Sequence, residues 1–299
     1  MLMILGRPGI RQAGGRLRPA GTAAASLRPR RCTLTSSTPD ALWASRSVRL
    51  LRPAAVVVSK LRRSVRRRWL LDGVDLRVPV GARLLLVSEP EGSGSLLLGI
   101  LAGLVRPSSG TFDLAGLSRD DDSSTGWRRR VAYLAPESGF YEWLSPWEVL
   151  DLACRLAGYE PAERQRRIDA AIDHYRLGPG LRRPVLRGGP ALAQKVGLAA
   201  ALLTDPEVLL LDDPLRSLDP SERARLLRIP GRRRTVLLAS RYPASDDGLV
   251  NQVALLRNGR VAIHARREEL DEHDLPLSLR GMTALVDVRA AALPPAATA

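Results

Sequence analysis

From residue 54 onward, apolar residues are concentrated in short Leu- and Val-rich runs, with longer amphipathic stretches between them. Short apolar runs bounded by turn residues are typical of buried strands. The six runs are Ala54–Val58, Arg83–Val87, Val131–Leu134, Val208–Leu211, Thr235–Ala239 and Gln252–Leu256. The amphipathic stretches predict helices, several of which begin with Pro or Ser in the first turn. They are Ser95–Leu104, Pro146–Ala157, Pro161–Tyr175, Leu192–Leu203 and Pro220–Arg228. Strands that alternate with helices predict an α/β fold with a mainly parallel sheet.

One block of the pattern departs from this alternation. Helical stretches follow one another from residue 146 to about residue 203 without a strand between them. We therefore predict a helical subdomain at about 140–203, inserted into an α/β domain that covers 51–265. Residues 1–50 form a leader before this domain, and residues 266–299 form a C-terminal extension after it.

Composition supports a folded domain and excludes several other classes of protein. The 299-residue chain is 45% hydrophobic, which is enough to fill a core and excludes wholesale disorder. Its two cysteines, Cys32 and Cys154, cannot form a disulfide framework or a four-thiolate zinc site, and they indicate a reducing compartment. No apolar run approaches the length of about 18 residues that crosses a bilayer, so we expect that the chain does not span a membrane by itself.

The positive charge of the chain is concentrated near its N-terminus. Residues 1–68 hold 16 of the 46 basic residues and one of the 31 acidic residues, which leaves 30 of each in the rest of the chain. The leader lacks sustained periodicity, so we predict that it is disordered. Its Arg-rich composition resembles a mitochondrial transit segment, and an artefactual upstream start codon accounts for it equally well. The leader and the basic cluster at 60–68 are compatible with nucleic-acid or anionic-lipid contact, although solvated basic tails are more common.

Two carboxylates follow the most hydrophobic of the predicted strands. Asp212 and Asp213 come directly after Val208–Leu211, and Pro214 follows them. Open α/β sheets bind ligands at the carboxyl ends of their strands, so this pair is placed to hold Mg²⁺ and to polarise water. The alternative is a strand that simply ends in two solvated aspartates.

The order of several motifs resembles that of the nucleotide-binding subunit of an ATP-binding cassette (ABC) transporter, over about 54–264. The motifs that occur in the expected order before the aspartate pair are Leu101-Ala102-Gly103-Leu104, Pro107-Ser108-Ser109-Gly110, Tyr133-Leu134 and Leu186-Arg187-Gly188-Gly189. The resemblance implies a P-loop NTPase-like ABC ATPase core with an inserted helical subdomain and a small N-terminal β region. It also implies ATP and Mg²⁺ as cofactors, a head-to-tail pair of cassettes and a membrane-spanning permease.

By this resemblance, the phosphate loop lies at 88–95, where it departs from the family pattern. Ser88, Glu91 and Ser93 stand where the family has glycines, and Gly94 stands where it has the lysine that reaches the phosphates. Ser95 keeps the Mg²⁺-binding hydroxyl. Loss of the lysine removes a charged hydrogen bond worth about 1.5–3 kcal/mol, so we expect weak ATP binding. The remaining glycines allow a loop rebuilt in another register. The candidate phosphate-binding residues are Glu91, Gly92, Ser93, Gly94 and Ser95.

The other ATP-site motifs of the family are also altered. The signature corresponds either to 186–190 or to 189–192, and Gly188 and Gly189 are its candidate residues. Pro136 replaces the glutamine that senses Mg²⁺, and Arg241 replaces the switch histidine as a fixed cation able to contact a phosphate. The aromatic residue that stacks on adenine is missing near 64–66. Trp69 is its nearest substitute.

Three aspartates retain family positions. By the resemblance, Asp212 coordinates Mg²⁺ together with Ser95, Asp213 replaces the catalytic glutamate, and Asp219 lies in the loop that contacts the partner cassette. The side chain of Asp213 is one methylene shorter than that of glutamate, and a displacement of about 1 Å can cost on the order of 10²-fold in rate. We therefore expect Asp213 to be a weak general base at best.

An aromatic cluster follows the glutamine-loop position and contains Phe140, Tyr141, Trp143 and Trp147. In ABC subunits the corresponding stretch packs against the permease, so the resemblance implies a docking surface. Core packing is the alternative, since large apolar groups serve either purpose.

Together these features predict a catalytically degenerate ABC nucleotide-binding subunit that pairs with an active cassette and with a permease. We expect little or no ATP hydrolysis and a cytoplasmic location, peripheral on the inner face of the membrane. A nucleic-acid partner is not expected. One alternative is an ATP-hydrolysing subunit with an atypical phosphate loop. The other is a non-catalytic regulatory or adaptor protein that binds nucleic acid or lipid through its basic leader.

Overall fold

The computed structural model describes most of the chain beyond the leader. The described residues are 53–89, 92–118, 130–137, 139–178, 180–229, 231, 233–241, 243–271 and 281–283. The predicted leader at 1–50, the candidate residue Glu91 and most of the C-terminal extension lie outside them.

Two long strands near the start of the described chain build a four-stranded antiparallel sheet. These strands, β1 (Ala54–Val65) and β2 (Arg68–Pro79), pair with each other, and β1 pairs on its other side with β4 (Ser109–Leu114). The short strand β5 (Leu117–Ser118) completes the order β2-β1-β4-β5. Composition did not predict β2 and β4, because their apolar residues alternate with polar ones on an exposed face instead of forming Leu-rich runs.

A six-stranded sheet forms the centre of the molecule, in the order β10-β9-β3-β8-β7-β6. Its strands are β3 (Arg83–Glu89), β6 (Val131–Leu134), β7 (Val208–Asp212), β8 (Thr235–Ala239), β9 (Gln252–Arg257) and β10 (Arg260–Arg266). The pairs from β9 to β6 are parallel, and only the β9–β10 pair is antiparallel. The predicted α/β class with a mainly parallel sheet is therefore confirmed.

Six α-helices connect and cover the sheets within the described residues. They are α1 (Ser93–Leu101), α2 (Pro146–Leu156), α3 (Pro161–Tyr175), α4 (Gly189–Leu203), α5 (Pro220–Leu227) and α6 (Arg267–Asp271). Ser145 starts α2 with a capping box, since its side chain and that of Glu148 each bond the other's backbone N–H. Helices α2, α3 and α4 pack against one another. Among the described residues, no helix has both the length and the apolar character needed to cross a membrane.

Two hydrophobic cores cover opposite faces of the central sheet. Along β3, Leu84 and Leu86 point into the core shared with α1 and the antiparallel sheet, whereas Leu85 and Val87 point into the core shared with α2–α4. All five residues of β7 are buried. This burial explains the uninterrupted apolar run, because a central parallel strand has no solvent-facing side. The layers leave the carboxyl ends of the strands free to form a site.

Candidate functional site

A cleft of about 280 Å³ lies at the carboxyl ends of the parallel strands. Each of β3, β6, β7 and β8 supplies residues that line it, either from its end or from the loop that follows. Among the lining residues are Gly92, Ser95, Asp212, Asp213 and Arg241, all of which the sequence had singled out. Gly92 and Ser95 of the predicted phosphate loop therefore lie in the same cleft as the predicted metal-binding aspartate, the catalytic position and the switch position.

Ser95 and Asp212 form the part of the cleft suited to a divalent cation. Ser95, in the first turn of α1, donates a hydrogen bond from Oγ to Asp212 Oδ1 at 2.7 Å. Tyr133 donates from its hydroxyl to Asp212 Oδ2 at 3.1 Å. Burial raises the pKa of Asp212, and the hydrogen bonds from Ser95 and Tyr133 act in the opposite direction. A hydroxyl beside a carboxylate is the hard oxygen donor set that Mg²⁺ prefers, so these residues fit the metal that the family uses.

The start of α1 offers backbone N–H groups to an anion. Gly92 precedes the helix with φ +90°, a conformation that glycine adopts without strain, and the first turn carries no acidic side chain. A helix N-terminus of this kind attracts phosphate through its unpaired N–H groups and its dipole. Ser93 is fully buried and does not line the cleft. The backbone at Gly92 and the first turn of α1 therefore fits a phosphate group even though the family's lysine is missing.

Ser88 and Gly94 depart from the family pattern together and lie against each other. A Cβ placed on Gly94 would lie 3.3 Å from Ser88 Oγ and 3.5 Å from Ala239 Cβ. A larger side chain at 94 therefore requires Ser88 to give way. The two substitutions are thus coupled through space, although five residues separate them along the chain.

Asp213, at the position of the family's catalytic glutamate, is bound by the arginine at the switch position. Arg241 donates from Nε at 2.8 Å and from Nη2 at 2.6 Å, and both bonds go to Asp213 Oδ2. Asp213 Oδ1 is shielded from solvent and has no hydrogen-bond partner among the described residues. Asp213 also has a left-handed backbone, with φ +43°, and its N–H bonds Ala239 O at 2.8 Å. Oδ2 is therefore occupied by Arg241, and Oδ1 is shielded from the water that a general base would activate.

Two residues around the cleft were missed by sequence reasoning. Arg216 lines it four residues after Asp212, and its Nη2 lies 3.7 Å from Glu137 Oε1. Buried Gln194 of α4 donates to Pro136 O at 3.4 Å and accepts from Ser217 N at 2.9 Å, so it links the loops after β6 and β7. An unexpected cation just after the aspartate pair could have indicated Arg216. No local signal indicated Gln194, because its partners are 58 and 23 residues away.

The remaining candidate residues lie outside the cleft. Helix α4 begins at Gly189, which has φ +73°, directly after Gly188. Asp219 caps α5, accepting from Ser221 N at 3.1 Å and from Glu222 N at 2.9 Å. The hydrogen bond from the Ser221 hydroxyl is the main cause that lowers the pKa of Asp219. Trp69, half-exposed on β2, does not line the cleft. The predicted contacts of the two glycines and of Asp219 with a second cassette remain predictions.

The aromatic cluster divides between core and surface. Phe140 and Trp147 pack against the core beneath α2. Tyr141 and Trp143 are 64% and 65% exposed, and their rings stack with centroids 4.3 Å apart. Exposed Leu186 lies beside them, since its N–H bonds Glu142 O at 2.9 Å. Tyr141, Trp143 and Leu186 form an exposed apolar patch, here called the aromatic patch.

Comparison with known proteins agrees with this geometry. Residues 71–216, which include Ser95 and both aspartates, match the ABC transporter family. Two solved structures share the fold. An ATP-binding subunit of an ABC transporter has a TM-score of 0.68 and 24% identity, over 78% of this chain and 99% of that one. A dimeric ATP-binding cassette bound to ADP and Pi has a TM-score of 0.63 and 17% identity, over 71% of this chain and 98% of that one.

Curated relatives extend the similarity along the chain. An ABC transporter ATP-binding protein of Nostoc sp. is 30% identical over 232 residues, which cover 73% of this chain and 68% of the relative. The nickel import ATP-binding protein NikO of Rhodobacter capsulatus is 34% identical, over 64% of this chain and 81% of that protein. The daunorubicin/doxorubicin resistance ATP-binding protein DrrA of Streptomyces peucetius is 31% identical, over 67% of this chain and 62% of that protein. This chain belongs to the ABC transporter ATP-binding proteins.

Proposed function

We propose that this chain is a catalytically degenerate nucleotide-binding subunit, which binds Mg²⁺-ATP weakly, hydrolyses it little or not at all, and pairs with an active cassette and a membrane permease. The observation that carries the proposal is the ion pair between Asp213 and Arg241. Charge-assisted hydrogen bonds from a guanidinium are about twice as strong as neutral ones, so the carboxylate stays bound to Arg241 in preference to water. A general base must reach the proton that it takes, but Oδ2 of Asp213 is held by Arg241 and Oδ1 is shielded from solvent.

Weak binding of the nucleotide follows because the cleft has the predicted metal ligands and a helix N-terminus but lacks the phosphate-binding lysine. Ser95 and Asp212 would hold Mg²⁺, which when bound would neutralise charge on the terminal phosphates. The N–H groups of α1 would contact the same phosphates. Gly94 offers no cation, and Ser88 leaves little room for one at that position. The site therefore keeps its metal ligands and helix dipole while it lacks the strongest direct contact.

The aromatic patch is the surface that we propose for the permease. Tyrosine and tryptophan are enriched in the buried centre of protein–protein interfaces. The names of NikO and DrrA assign those relatives to nickel import and to drug resistance. For this chain we propose transport coupled to a permease, at the cytoplasmic, inner face of the membrane and with a substrate still to be found. We also propose 51–265 as the nucleotide-binding domain, with its helical subdomain at about 140–203, because α2, α3 and α4 pack together.

Restoration of the phosphate loop tests the proposed loss of the site. The full chain and a Ser88→Gly, Gly94→Lys variant are unfolded by heat with and without millimolar Mg²⁺-ATP, and their hydrolysis rates are measured. Ligand at 100 times its dissociation constant adds about 2.7 kcal/mol of stability. We expect a clear rise in the melting temperature of the variant, a small rise for the parent, and negligible hydrolysis by the parent.

The control for this experiment is the same loop variant with Asp212→Asn, which should lose the Mg²⁺-dependent part of the shift. A parent chain that hydrolyses ATP at an ordinary rate of roughly 1–10 per second would contradict the proposal. That result would instead support an ATP-hydrolysing subunit with an atypical loop, which the intact Ser95–Asp212 pair favours as the second candidate.

The docking surface is tested by separating the membrane and soluble fractions of cells that express the protein. A Tyr141→Ala, Trp143→Ala variant should shift from the membrane fraction to the soluble fraction, because it removes the two rings of the aromatic patch. A Leu152→Ala, Leu156→Ala variant is the matched control, since these leucines of α2 are exposed to 44% and 43%. Equal membrane association of both variants and the parent would exclude the aromatic patch as the permease contact.

A further inference from the structure

The cleft contains two arginines that the family pattern does not require. Arg216 follows the end of β7 and Arg241 follows the end of β8. These strands are parallel neighbours, with Asp212 opposite Ala239, so residues beyond their ends reach the same edge of the sheet. Both arginines line the cleft together with Ser95. Two arginines therefore line the cleft that a phosphate chain would enter if Ser95 and Asp212 held its Mg²⁺.

Among the described residues, the charges that line the cleft are balanced before any ligand binds. The ionisable ones are Asp212, Asp213, Arg216 and Arg241. A divalent cation on Asp212 would leave Asp213 as the anion that competes with phosphate. Without the lysine, the positive charge available to phosphate comes from the two arginines.

Each arginine has a present partner with which the oxygens of a phosphate can compete. The side chain of Arg241 is 52% exposed and directs two donors at a single oxygen of Asp213. The partner of Arg216 is Glu137 at 3.7 Å, whose side chain is 86% exposed, and an exposed pair of this kind contributes little. A phosphate offers several oxygens to the planar fork of a guanidinium, which matches phosphate geometry with two parallel bonds.

We propose that Arg216 and Arg241 form a two-arginine clamp that binds the terminal phosphates of a nucleoside triphosphate in place of the lysine absent at position 94. The inference rests on the proposed function, since it assigns the phosphate contacts of the same nucleotide site. Asp213 competes with the phosphates for Arg241 and so sets the affinity of the cleft. Removal of the Asp213 charge should then tighten binding, and removal of either arginine should weaken it.

Calorimetric titration of the full chain with Mg²⁺-ATP and with Mg²⁺-tripolyphosphate tests the clamp. A charged hydrogen bond corresponds to about tenfold or more in affinity. We expect Asp213→Asn to tighten binding by about tenfold and Arg216→Ala to weaken it by a similar factor. In the Asp213→Asn background, Arg241→Ala should also weaken binding about tenfold. The ratios should be the same for both ligands, because the contacts are to phosphate and not to the nucleoside.

Arg106→Ala is the matched control, since it removes the same charge from an exposed residue beyond the far end of α1. Its affinity should equal that of the parent, and the melting temperature of each variant shows that it is folded. If Arg216→Ala binds both ligands as tightly as the unmodified chain, and Arg241→Ala binds them as tightly as Asp213→Asn alone, the clamp is excluded while nucleotide binding still stands. If neither the parent nor Asp213→Asn binds either ligand at millimolar concentration, the proposed function fails and the clamp fails with it.

Discussion

Asp212 illustrates the cost of burying a carboxylate, the predicted Mg²⁺ ligand, at the end of an apolar strand. It is 3% exposed, and its pKa is raised mainly because burial disfavours the charged carboxylate. The hydrogen bonds from Ser95 and Tyr133 offset part of this cost. A neutral side chain of the same shape would therefore favour the folded state more.

Substitution Asp212→Asn should therefore stabilise the metal-free protein. We expect the free energy of unfolding at pH 7, measured by urea denaturation in EDTA, to rise by about 1 kcal/mol, because the amide oxygen can still accept a hydrogen bond. A carboxyl whose folded-state pKa is raised destabilises the protein above that pKa, and the penalty disappears as the pH falls through it. The advantage of asparagine should thus shrink in acid. A variant less stable than the parent at pH 7 would show that the two hydrogen bonds outweigh desolvation.

At the scale of elements, the antiparallel sheet depends on one close approach of two strands. The pairing of β1 with β4 shifts register between Ser59 and Arg62, and Lys60 in this bulge has φ +49°. Opposite the bulge, Gly110 has φ +87°, and a Cβ there would overlap the backbone of Lys60 and Leu61. Only glycine fits this position, both for its conformation and for the space.

We predict that Gly110→Ala lowers the free energy of unfolding by more than the cost of conformation alone. The left-handed conformation costs alanine about 1–2 kcal/mol, and overlap with backbone atoms should add a similar amount. Gly116→Ala is the matched control, because Gly116 has φ +76° and open space around it. If urea denaturation gave the same loss of unfolding free energy for both variants, β1 and β4 would accommodate the added methyl group without an energetic cost.

Loops at the sheet edge show how elements bring distant residues together. The Asp213–Arg241 pair joins residues 28 apart in sequence, and Gln194 joins the ends of β6 and β7. The strands were predictable from their own residues, whereas these side-chain partners were not. The burial of a strand can be predicted from its own apolar residues, but the loop that will contact a polar side chain cannot.

At the scale of the whole molecule, the central sheet joins the two cores into one structure. Adjacent residues of β3 serve different cores, since Leu84 faces the antiparallel sheet and Leu85 faces the helices α2–α4. Side chains of a strand alternate between its two faces, so unfolding of β3 would disrupt both cores at once. The described layers should therefore unfold as one unit.

We predict that Leu84→Ala and Leu85→Ala each destabilise the same transition by about 2–5 kcal/mol. Unfolding in urea would be followed by circular dichroism and by tryptophan fluorescence, which includes the signal of Trp147 against the helical core. Coincident curves for both probes are expected in both variants. If Leu85→Ala separated the two curves, the helical layer would be an independent unit.

The sequence by itself determined the elements and brought forward Ser95 and Asp212 as candidate metal ligands. Uninterrupted apolar runs located five parallel strands and most helix positions within a few residues, because burial on both faces leaves a strong local pattern. Motif spacing placed Ser95 and Asp212 in one site, and their 2.7 Å hydrogen bond agrees with that placement. Alternating strands such as β2 were missed, because half of their residues face solvent and weaken the apolar signal.

Only the tertiary structure decided the partners of the charged and aromatic side chains. Arg241 could have remained a free cation in the cleft, but it is held by Asp213, and Arg216 joins it there. The four aromatic residues near 140 looked alike in sequence, yet two are partly buried against the core and two remain exposed. These outcomes depend on groups brought close by the order of the strands and the packing of the helices. The residues next to each side chain in the sequence do not predict these contacts.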